Sequence, residues 1–555
     1  MDIAVWNSIF LAVIYFLYFA VILTTIFVVI LDNRSPVKTM AWILVLFFLP
    51  VAGWILYLFF GRSTRKEHLI SRKGYARLSK RPMAAYQEQP SVMAEYGKQR
   101  LMDFFSRVNN ALPFSGNRVT VYTDAVSMLS ELLKDIYRAR HHIHLEFYIF
   151  EDDAVGRLVR DALIDRARDG VKIRVLYDDV GCWKVPHDFY EQMLCEGIEV
   201  LSFLKVRFPR FTSKVNYRNH RKIVVIDGCV GFIGGMNLAE RYVKGLGKGN
   251  WRDTHVRLGG KVVYGLQTAF LTDWYAIDRT LLTSAEYFPP ISVKGGVLGQ
   301  IVTSDPVGEW RDIMQGLMMA ICSTRRYFYV QTPYFLPNEE VMTALQTAAL
   351  AGVDVRLMLP KRGDTWLIHK GSLSYLSEMM KAGVKIYLYK KGFLHSKLMV
   401  CDDELSTVGS TNMDFRSFEH NFEANAFFYD RETAMTLKEI FLADQKDCFL
   451  LSAGFGKNVL GKIRLLNRLC VFLLLYSEKG KVDTSVVTVL EKAGMTLKVE
   501  IFSMFQNENT FRLEQVVLKY QVGYACQFFQ GIRRVSKDKI ELQAAFLDVF
   551  EYIGS

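Results

Sequence analysis

The chain has 555 residues, half of them hydrophobic, and a formal net charge of +12. That length exceeds one ordinary core and points to several domains, and the charge favours anionic partners such as acidic lipid headgroups or nucleic acid. The eight cysteines are scattered, with no CxxC pair and no Cys/His cluster at zinc spacing, so neither a disulfide framework nor a zinc site is expected.

The excess hydrophobicity sits at the N-terminus. Residues Ile9 to Leu31 carry no charge, and as a helix they would span roughly the 30 Å of a bilayer core. A polar break, Asp32 to Lys38, precedes a second apolar run from Met40 to Phe60, which ends at Gly61-Arg62. Two spans and a short loop predict a transmembrane hairpin over residues 1–62. A cleavable signal peptide would need a basic start and a small-residue cleavage site, and neither is present. Arg62, Arg65, Lys66, Arg72 and Lys73 follow the second span, against Arg34 and Lys38 in the loop. The positive-inside rule then puts the loop outside and the bulk of the chain in the cytoplasm.

Residues 63–115 are polar and weakly periodic, and read as a linker with some helix. From about Val119 the chain repeats itself. In the first half, 116–298, Ile143–Phe150 reads as a strand, Gly156–Arg168 as a helix, and Gly170–Leu176 and Gly197–Val200 as further strands. In the second half, 299–478, the corresponding stretches are Tyr327–Gln331, Asn338–Leu350, Gly352–Met358 and Gly383–Tyr387. Strand, helix, strand in this rhythm predicts an α/β fold of two tandem domains, with mixed or parallel sheets flanked by helices.

Each half ends in the same pattern. The first copy has His220, Lys222, Asp227, Gly234 and Asn237; the second has His395, Lys397, Asp402, Gly409 and Asn412. A lone His-x-Lys on a strand is ordinarily surface decoration or a satisfied core contact. Five fixed positions recurring at identical offsets are not, and they predict a pseudo-twofold pair meeting at one cleft. In each copy a strand runs just past the His, so His220 and Lys222 should project together, as should His395 and Lys397. The glycine pair before Asn237, and Gly409-Ser410 before Asn412, would let backbone approach a ligand closely. Neutral imidazole is a competent nucleophile and acid or base near pH 7. Lysine and asparagine can hold phosphoryl oxygens and the charge that builds on them. Carboxylates are scarce where a divalent metal would need several oxygens, so no metal is expected. No P-loop or strand-following GxGxxG is present, so no nucleotide cofactor is expected.

These motifs resemble those of the phospholipase D superfamily, and within it the chain is similar to the bacterial cardiolipin synthases. The likeness extends to Pro36 through Trp42, to Tyr57 through Arg62, and to Trp251-Arg252-Asp253-Thr254-His255. It includes Gln331 through Phe335, Asn412-Met413-Asp414 with Arg416-Ser417, and Asn421-Phe422-Glu423. It implies two phospholipase D-like domains and a membrane-bound phosphatidyltransferase that joins two phosphatidylglycerols into cardiolipin and glycerol. One motif histidine would form a covalent phosphohistidine while the other moves the proton. The motif does not distinguish the two; the resemblance assigns His220 as nucleophile and His395 as acid/base.

By the same resemblance Asp253 and Glu423 orient the histidines, and Lys222, Lys397, Asn237 and Asn412 bind phosphate. Asp227 and Asp402 complete the catalytic motif, but we read them as holding the loop after the strand. The basic stretch Lys205, Arg207, Arg210, Lys214, Arg218, Arg221 either attracts an anionic lipid surface or is a solvated loop. Trp251 and the aromatic run Tyr327–Phe335 read as core. A phospholipid hydrolase, a superfamily nuclease and a non-catalytic membrane scaffold are the rival functions; two membrane spans argue against nucleic acid as partner. The resemblance ends near Tyr476. Arg464–Tyr476 is too short to span and reads as an amphipathic helix. Beyond it, 479–555 carries a strand-like run at Thr496–Phe502, a helix-like stretch at Lys537–Tyr552 and no evident chemistry.

Overall fold

The computed structural model describes residues 96–205, 217–245, 249–292 and 295–451, with shorter pieces before residue 58 and two strands near the C-terminus. The chain divides into two compact units, Met1–Leu474 and Leu475–Ser555. In the second unit, Lys498–Glu500 pairs antiparallel with Val517–Lys519. The first of these strands falls inside the expected run at Thr496–Phe502. The expected helices at Arg464–Tyr476 and Lys537–Tyr552 lie outside the described residues. Near the N-terminus a helix covers Pro36–Phe48, beginning inside the expected polar break. Among the described residues no helix is long and apolar enough to cross a membrane, and much of both expected spans lies outside them.

The first half contributes β1 (Phe114–Tyr122), β2 (His142–Phe147), β3 (Lys172–Asp178), β4 (Glu199–Phe203), β5 (Arg218–Asn219), β6 (Lys222–Ile226), β7 (Val230–Gly234), β8 (Trp251–Arg252) and β9 (His255–Gly259). The second contributes β10 (Val297–Ser304), β11 (Tyr327–Gln331), β12 (Phe335–Leu336), β13 (Asp354–Pro360), β14 (Lys385–Tyr389), β15 (Phe393–Leu394), β16 (Leu398–Cys401), β17 (Leu405–Gly409), β18 (Met413–Asp414), β19 (Asn421–Phe428) and β20 (Cys448–Leu450). Counted outward from a central seam, the first half runs β1-β9-β7-β6-β2-β3-β4. The second runs β10-β19-β17-β16-β11-β13-β14, with β20 added at its edge. The orders match strand for strand, and β1 pairs antiparallel with β10 at the seam. The repeat read from the sequence is thus a structural duplication.

The sheet is mixed, within the expectation of mixed or parallel sheets. β2, β3 and β4 are mutually parallel, as are β11, β13 and β14. The motif strands β6 and β16 instead run antiparallel to β2 and β11. The reason is local: β6 and β7, like β16 and β17, are joined by a tight turn, and a hairpin can only be antiparallel.

Alternation along the motif strands builds two layers. Ile223 and Val225 face one core while Val224 and Ile226 face another; Leu398 and Val400 divide likewise from Met399 and Cys401. The core holding Ile223, Val225, Leu398 and Val400 is shared by both halves. It also takes Val263 and Leu266 from helix Val263–Asp278 and Leu437 and Phe441 from helix Arg431–Lys446. A period of two with both faces apolar is the mark of a strand buried on both sides. Within the expected linker, helix Tyr96–Asn109 packs Leu101, Met102 and Phe105 into the second half, the Phe105 ring lying 4.7 Å from Phe427.

Asp227 and Asp402 belong to this frame. Each sits in the left-handed region, φ +51° and +56°, at the start of the hairpin turn after its motif strand. Gly228 and Asp403 follow with φ +63° and +61°, giving type I′ turns, which suit the twist of a hairpin and favour Asp, Asn and Gly. The Asp227 carboxylate accepts from the backbone N–H groups of Arg140, His141 and His142 at 2.8, 2.8 and 3.0 Å. Asp402 does the same for Arg325, Arg326 and Tyr327 at 2.7, 2.9 and 3.0 Å. Each aspartate clamps the entry of β2 or β11, at the opposite end of its strand from the motif lysine. Both carboxylates are engaged by backbone N–H groups, which supports a structural role for them over a catalytic one.

Candidate active site

Two pairs of very short strands decide the site. β5 pairs parallel with the start of β19, setting Asn219 opposite Phe422. β8 pairs parallel with β15, setting Arg252 opposite Leu394. One residue further along each ladder, His220 meets Glu423 and His395 meets Asp253. The backbone closes both contacts: His220 N donates to Phe422 O at 2.9 Å, and His395 N to Arg252 O at 2.7 Å. Each histidine is therefore held by a carboxylate from the other half. His220 Nδ1 lies 3.1 Å from both Glu423 carboxylate oxygens, and His395 Nδ1 lies 2.6 Å from Asp253 Oδ2. With Nδ1–H donating to the carboxylate, each ring keeps the Nε2 lone pair for chemistry.

The supports of the two carboxylates differ. Arg252, beside Asp253, binds Asp444 through Nε at 3.0 Å and Nη2 at 2.7 Å, tying β8 to the last helix of the second half. Thr254 and Ser396 join their hydroxyls at 2.7 Å. A Cβ on Gly235 would come within 2.1 Å of Asp253 Oδ1. The Asp253 carboxylate therefore occupies the space that a side chain at this position would need. Its counterpart Ser410 instead donates its hydroxyl to Glu423 Oε2 at 2.5 Å, and Asn421 donates to Glu423 Oε1 at 3.0 Å.

The lysines follow the histidines. Lys222 Nζ donates to His220 O at 2.5 Å, and Lys397 Nζ donates to His395 O and lies 2.9 Å from His395 Nδ1. Asn237 accepts from Ile149 N at 3.2 Å and gives one amide hydrogen to the Tyr242 hydroxyl at 2.5 Å. Asn412 differs: its Oδ1 is buried without a hydrogen-bond partner among the described residues.

The walls differ too. Tyr148 packs on His220 at 4.9 Å between centroids, with Lys222 Nζ 5.3 Å over its ring. Around His395 stand Trp251 at 5.2 Å, Tyr242 at 5.6 Å, Phe393 at 5.8 Å and Tyr334 at 6.5 Å. Trp251 is core, as expected, and also a wall of the site. Neither Tyr148 nor Tyr242 was singled out in the sequence; Tyr148 falls within a predicted strand and offers no separate signal.

Burial sets the proton inventory. It pushes His220 down to about 4 and His395 to about 3, against 6.5 in water, although Glu423 and Asp253 pull the other way. Both imidazoles are neutral at pH 7. Burial alone would raise the two carboxyls. The Lys397 charge with the hydrogen bonds from His395 and Thr254 outweighs it at Asp253, and the hydrogen bonds from His220 and Ser410 with the Lys222 charge outweigh it at Glu423, so both stay below the ordinary carboxylate range. Burial pushes Lys222 well below the usual lysine value and Lys397 to about 8. Two lysines and two dry histidines in one cleft form a site that an anion would complete.

Arg221, counted at sequence level in a basic stretch, is unavailable to a membrane. It is buried, ion-paired with Asp273, and donates to Glu423 O at 3.1 Å, bracing the strand that carries Glu423. Arg207, Arg210 and Lys214 of that stretch lie outside the described residues.

A family model described as cardiolipin synthase, phospholipase D-like domain, matches residues 132–274 and 317–445. A second, described as phospholipase D-nuclease N-terminal, matches 16–62. The major cardiolipin synthase ClsA of Bacillus subtilis is 40% identical over 441 residues, 77% of this chain and 91% of that protein. A cardiolipin synthase of a Geobacillus species is 40% identical over 434 residues, 76% of this chain and 85% of that one. The crystal structure of phosphatidylserine synthase from Haemophilus influenzae superposes with TM-score 0.52 at 13% identity, over 68% of this chain and 98% of that one, and so shares the fold. With each motif histidine held by a carboxylate of the other half and relatives matched over most of their length, the chain belongs to the bacterial cardiolipin synthases of the phospholipase D superfamily.

Proposed function

We propose that this phosphatidyltransferase joins two phosphatidylglycerols through a covalent intermediate on His220. His220 Nε2 attacks phosphorus; the P–N bond forms as the bond to the glycerol oxygen breaks, and His395 gives that oxygen a proton. The headgroup hydroxyl of a second phosphatidylglycerol then attacks, yielding its proton to His395 as the P–N bond breaks. Cardiolipin leaves and both imidazoles return to their starting state. The ester bond energy is held in the intermediate, so no nucleotide is consumed. The observation that carries this reading is the crossed pair of histidine–carboxylate couples, which orients both Nε2 atoms for chemistry.

Lys222, Lys397, Asn237 and Asn412 hold the phosphoryl oxygens. A phosphate anion arriving beside His395 offsets the burial that keeps this ring neutral, so that it can take up the proton it must deliver. The chain is anchored by the hairpin Ile9–Leu31 and Met40–Phe60 in the inner membrane, with the catalytic halves on the cytoplasmic side. The match of residues 16–62 to an N-terminal family model supports this anchor. An anchored cleft meets its second lipid at high local concentration, which favours transfer over hydrolysis.

Purified full-length protein given phosphatidylglycerol alone should form cardiolipin and glycerol in equal amounts, read by mass-resolved lipid analysis. Phosphatidic acid as the only lipid product would overturn the synthase reading in favour of a hydrolase. The rate should also report the lowered proton affinities. A group whose value is lowered stays neutral to lower pH. On bis(p-nitrophenyl) phosphate, whose leaving group needs no acid, kcat/KM should therefore fall on the acid side near pH 4, where His220 protonates, rather than near 6.5. It should fall again on the alkaline side, near pH 8, where Lys397 loses its charge. An acid limb at 6.5 would mean that the ring is not dry in solution.

A further inference from the structure

Three tryptophans of the catalytic body stand in solvent: Trp183 is 74% exposed, Trp310 51% and Trp366 57%. The body's other two, Trp251 and Trp274, are buried. The exposed three share one edge of the sheet. Trp183 lies just past the end of β3, Trp366 just past the end of β13, and Trp310 just past the end of β10. β3 runs with β2, whose last residue Phe147 faces Lys222. β13 runs with β11, whose last residue Gln331 faces Leu398, next to Lys397. The end of β10, Ser304, faces Glu423. This is the edge at which both histidines stand. Trp183 and Trp366 occupy corresponding places in the two halves, one on either side of the cleft.

The loops that carry them are tied to the site. Asp178 Oδ1 accepts from Val180 N at 3.1 Å and Gly181 N at 2.7 Å, and its Oδ2 accepts from Asn219 N, beside His220, at 2.7 Å. Cys182 Sγ accepts from Phe150 N at 3.3 Å. In the other half, Tyr334 donates its hydroxyl to Asp364 Oδ2 at 2.5 Å, and its ring is one wall of His395. The tryptophan rings are thus held out from braced loops. Lys184, beside Trp183, is exposed, as are Lys361 and Arg362, just before Trp366. Exposed carboxylates stand near them too, Asp188 past Lys184, Asp364 before Trp366 and Glu309 next to Trp310, so of the three only the Trp366 loop carries more cations than acids. Indole rings prefer the interface between water and lipid, and lysine and arginine beside them prefer anionic headgroups.

We propose that Trp183 and Trp366, with Lys184, Lys361 and Arg362, form a two-point dock that seats the catalytic edge on an anionic phospholipid bilayer, with Trp310 as a third contact. The dock rests on the lipid-transfer reading, because it brings the cleft mouth to the headgroups that supply both substrates. A second copy of the chain is the competing occupant. The rings flank the edge at which both histidines stand, so a second copy seated on them would cover the entry for lipid, whereas a bilayer seated there supplies it.

The test uses full-length protein carrying W183A and W366A together. Rates are measured on phosphatidylglycerol diluted in neutral detergent micelles and on bis(p-nitrophenyl) phosphate in water. Loss of the dock should raise the surface KM for phosphatidylglycerol about tenfold with little change in kcat, and leave the soluble phosphodiester unaffected. In phosphatidylglycerol nanodiscs with brominated acyl chains, the fluorescence difference between native and variant protein should shrink relative to unbrominated discs. An unchanged surface KM, or a fluorescence difference indifferent to bromine, overturns the dock. A variant that changes only oligomeric state, read by light scattering, also overturns it, in favour of a second copy. Native protein that cleaves the soluble diester but makes no cardiolipin would refute the synthase reading separately, while the bromine comparison still decides the dock.

Discussion

The His395→Ala protein should stall halfway. A phosphodiester whose leaving group is p-nitrophenol needs no acid to depart, so this variant should release a stoichiometric burst of nitrophenol and then stop. The intermediate would persist because no base remains to activate the second alcohol. His220→Ala should give no burst, and its turnover should drop by at least about 10³-fold, as expected when a covalent nucleophile is lost. Peptide mapping of the stalled protein, kept at neutral or alkaline pH, should find the adduct on His220. An adduct on His395 would exchange the two roles. Among the described residues the walls differ in the sense of the assignment: His220 meets the ring of Tyr148, whereas His395 is enclosed by Trp251, Tyr242, Phe393 and Tyr334.

The carboxylates should separate by the same assay, and in the crossed sense. Glu423→Gln disturbs His220 although both its neighbours in sequence and its strand belong to the second half. It should remove the burst. Asp253→Asn disturbs His395, so the burst should survive and the second step should fail. Each should lose about 10²–10⁴-fold in overall turnover, the range seen when a catalytic histidine loses its orienting carboxylate. The physical cause is the tautomer: an amide can donate to Nδ1, which moves the proton to Nε2 and abolishes its lone pair. If Asp253→Asn removed the burst and Glu423→Gln spared it, the pairing would not hold in solution. The dry surroundings make these effects large, because water cannot replace the missing acceptor.

Much of the frame was legible. Tyr327–Gln331 is a strand with the bounds its aromatic and β-branched residues suggested, and the helix at Asn338–Leu350 begins at Glu339. These are local signals: period two, period 3.6, and glycines that end helices. Which strands run antiparallel was not legible, because a strand's residues do not say which neighbour it will find. Asp227 and Asp402 could be read as structural from their place after a strand, yet the reason, a left-handed turn clamping three backbone N–H groups, needed coordinates. Arg221 looked like one more surface cation. Only packing showed it paired with Asp273 beneath the site. Trp183 and Trp366 carried no motif, since solvent exposure is a property of the fold.

The sequence by itself determined that this protein is duplicated, that each copy brings one histidine, one lysine and one asparagine at set offsets, and that phosphodiester chemistry is the use for them. These are matters of residue type and spacing along one chain. Tertiary structure alone decided the partners. Asp253 lies nearer in sequence to His220, and Glu423 nearer to His395, but β8 pairs with β15 and β5 with β19, so each carboxylate crosses to the other half. Backbone hydrogen bonds between segments far apart in the chain set that register. Such bonds are made by peptide groups that every residue carries, which is why no side-chain pattern announces them.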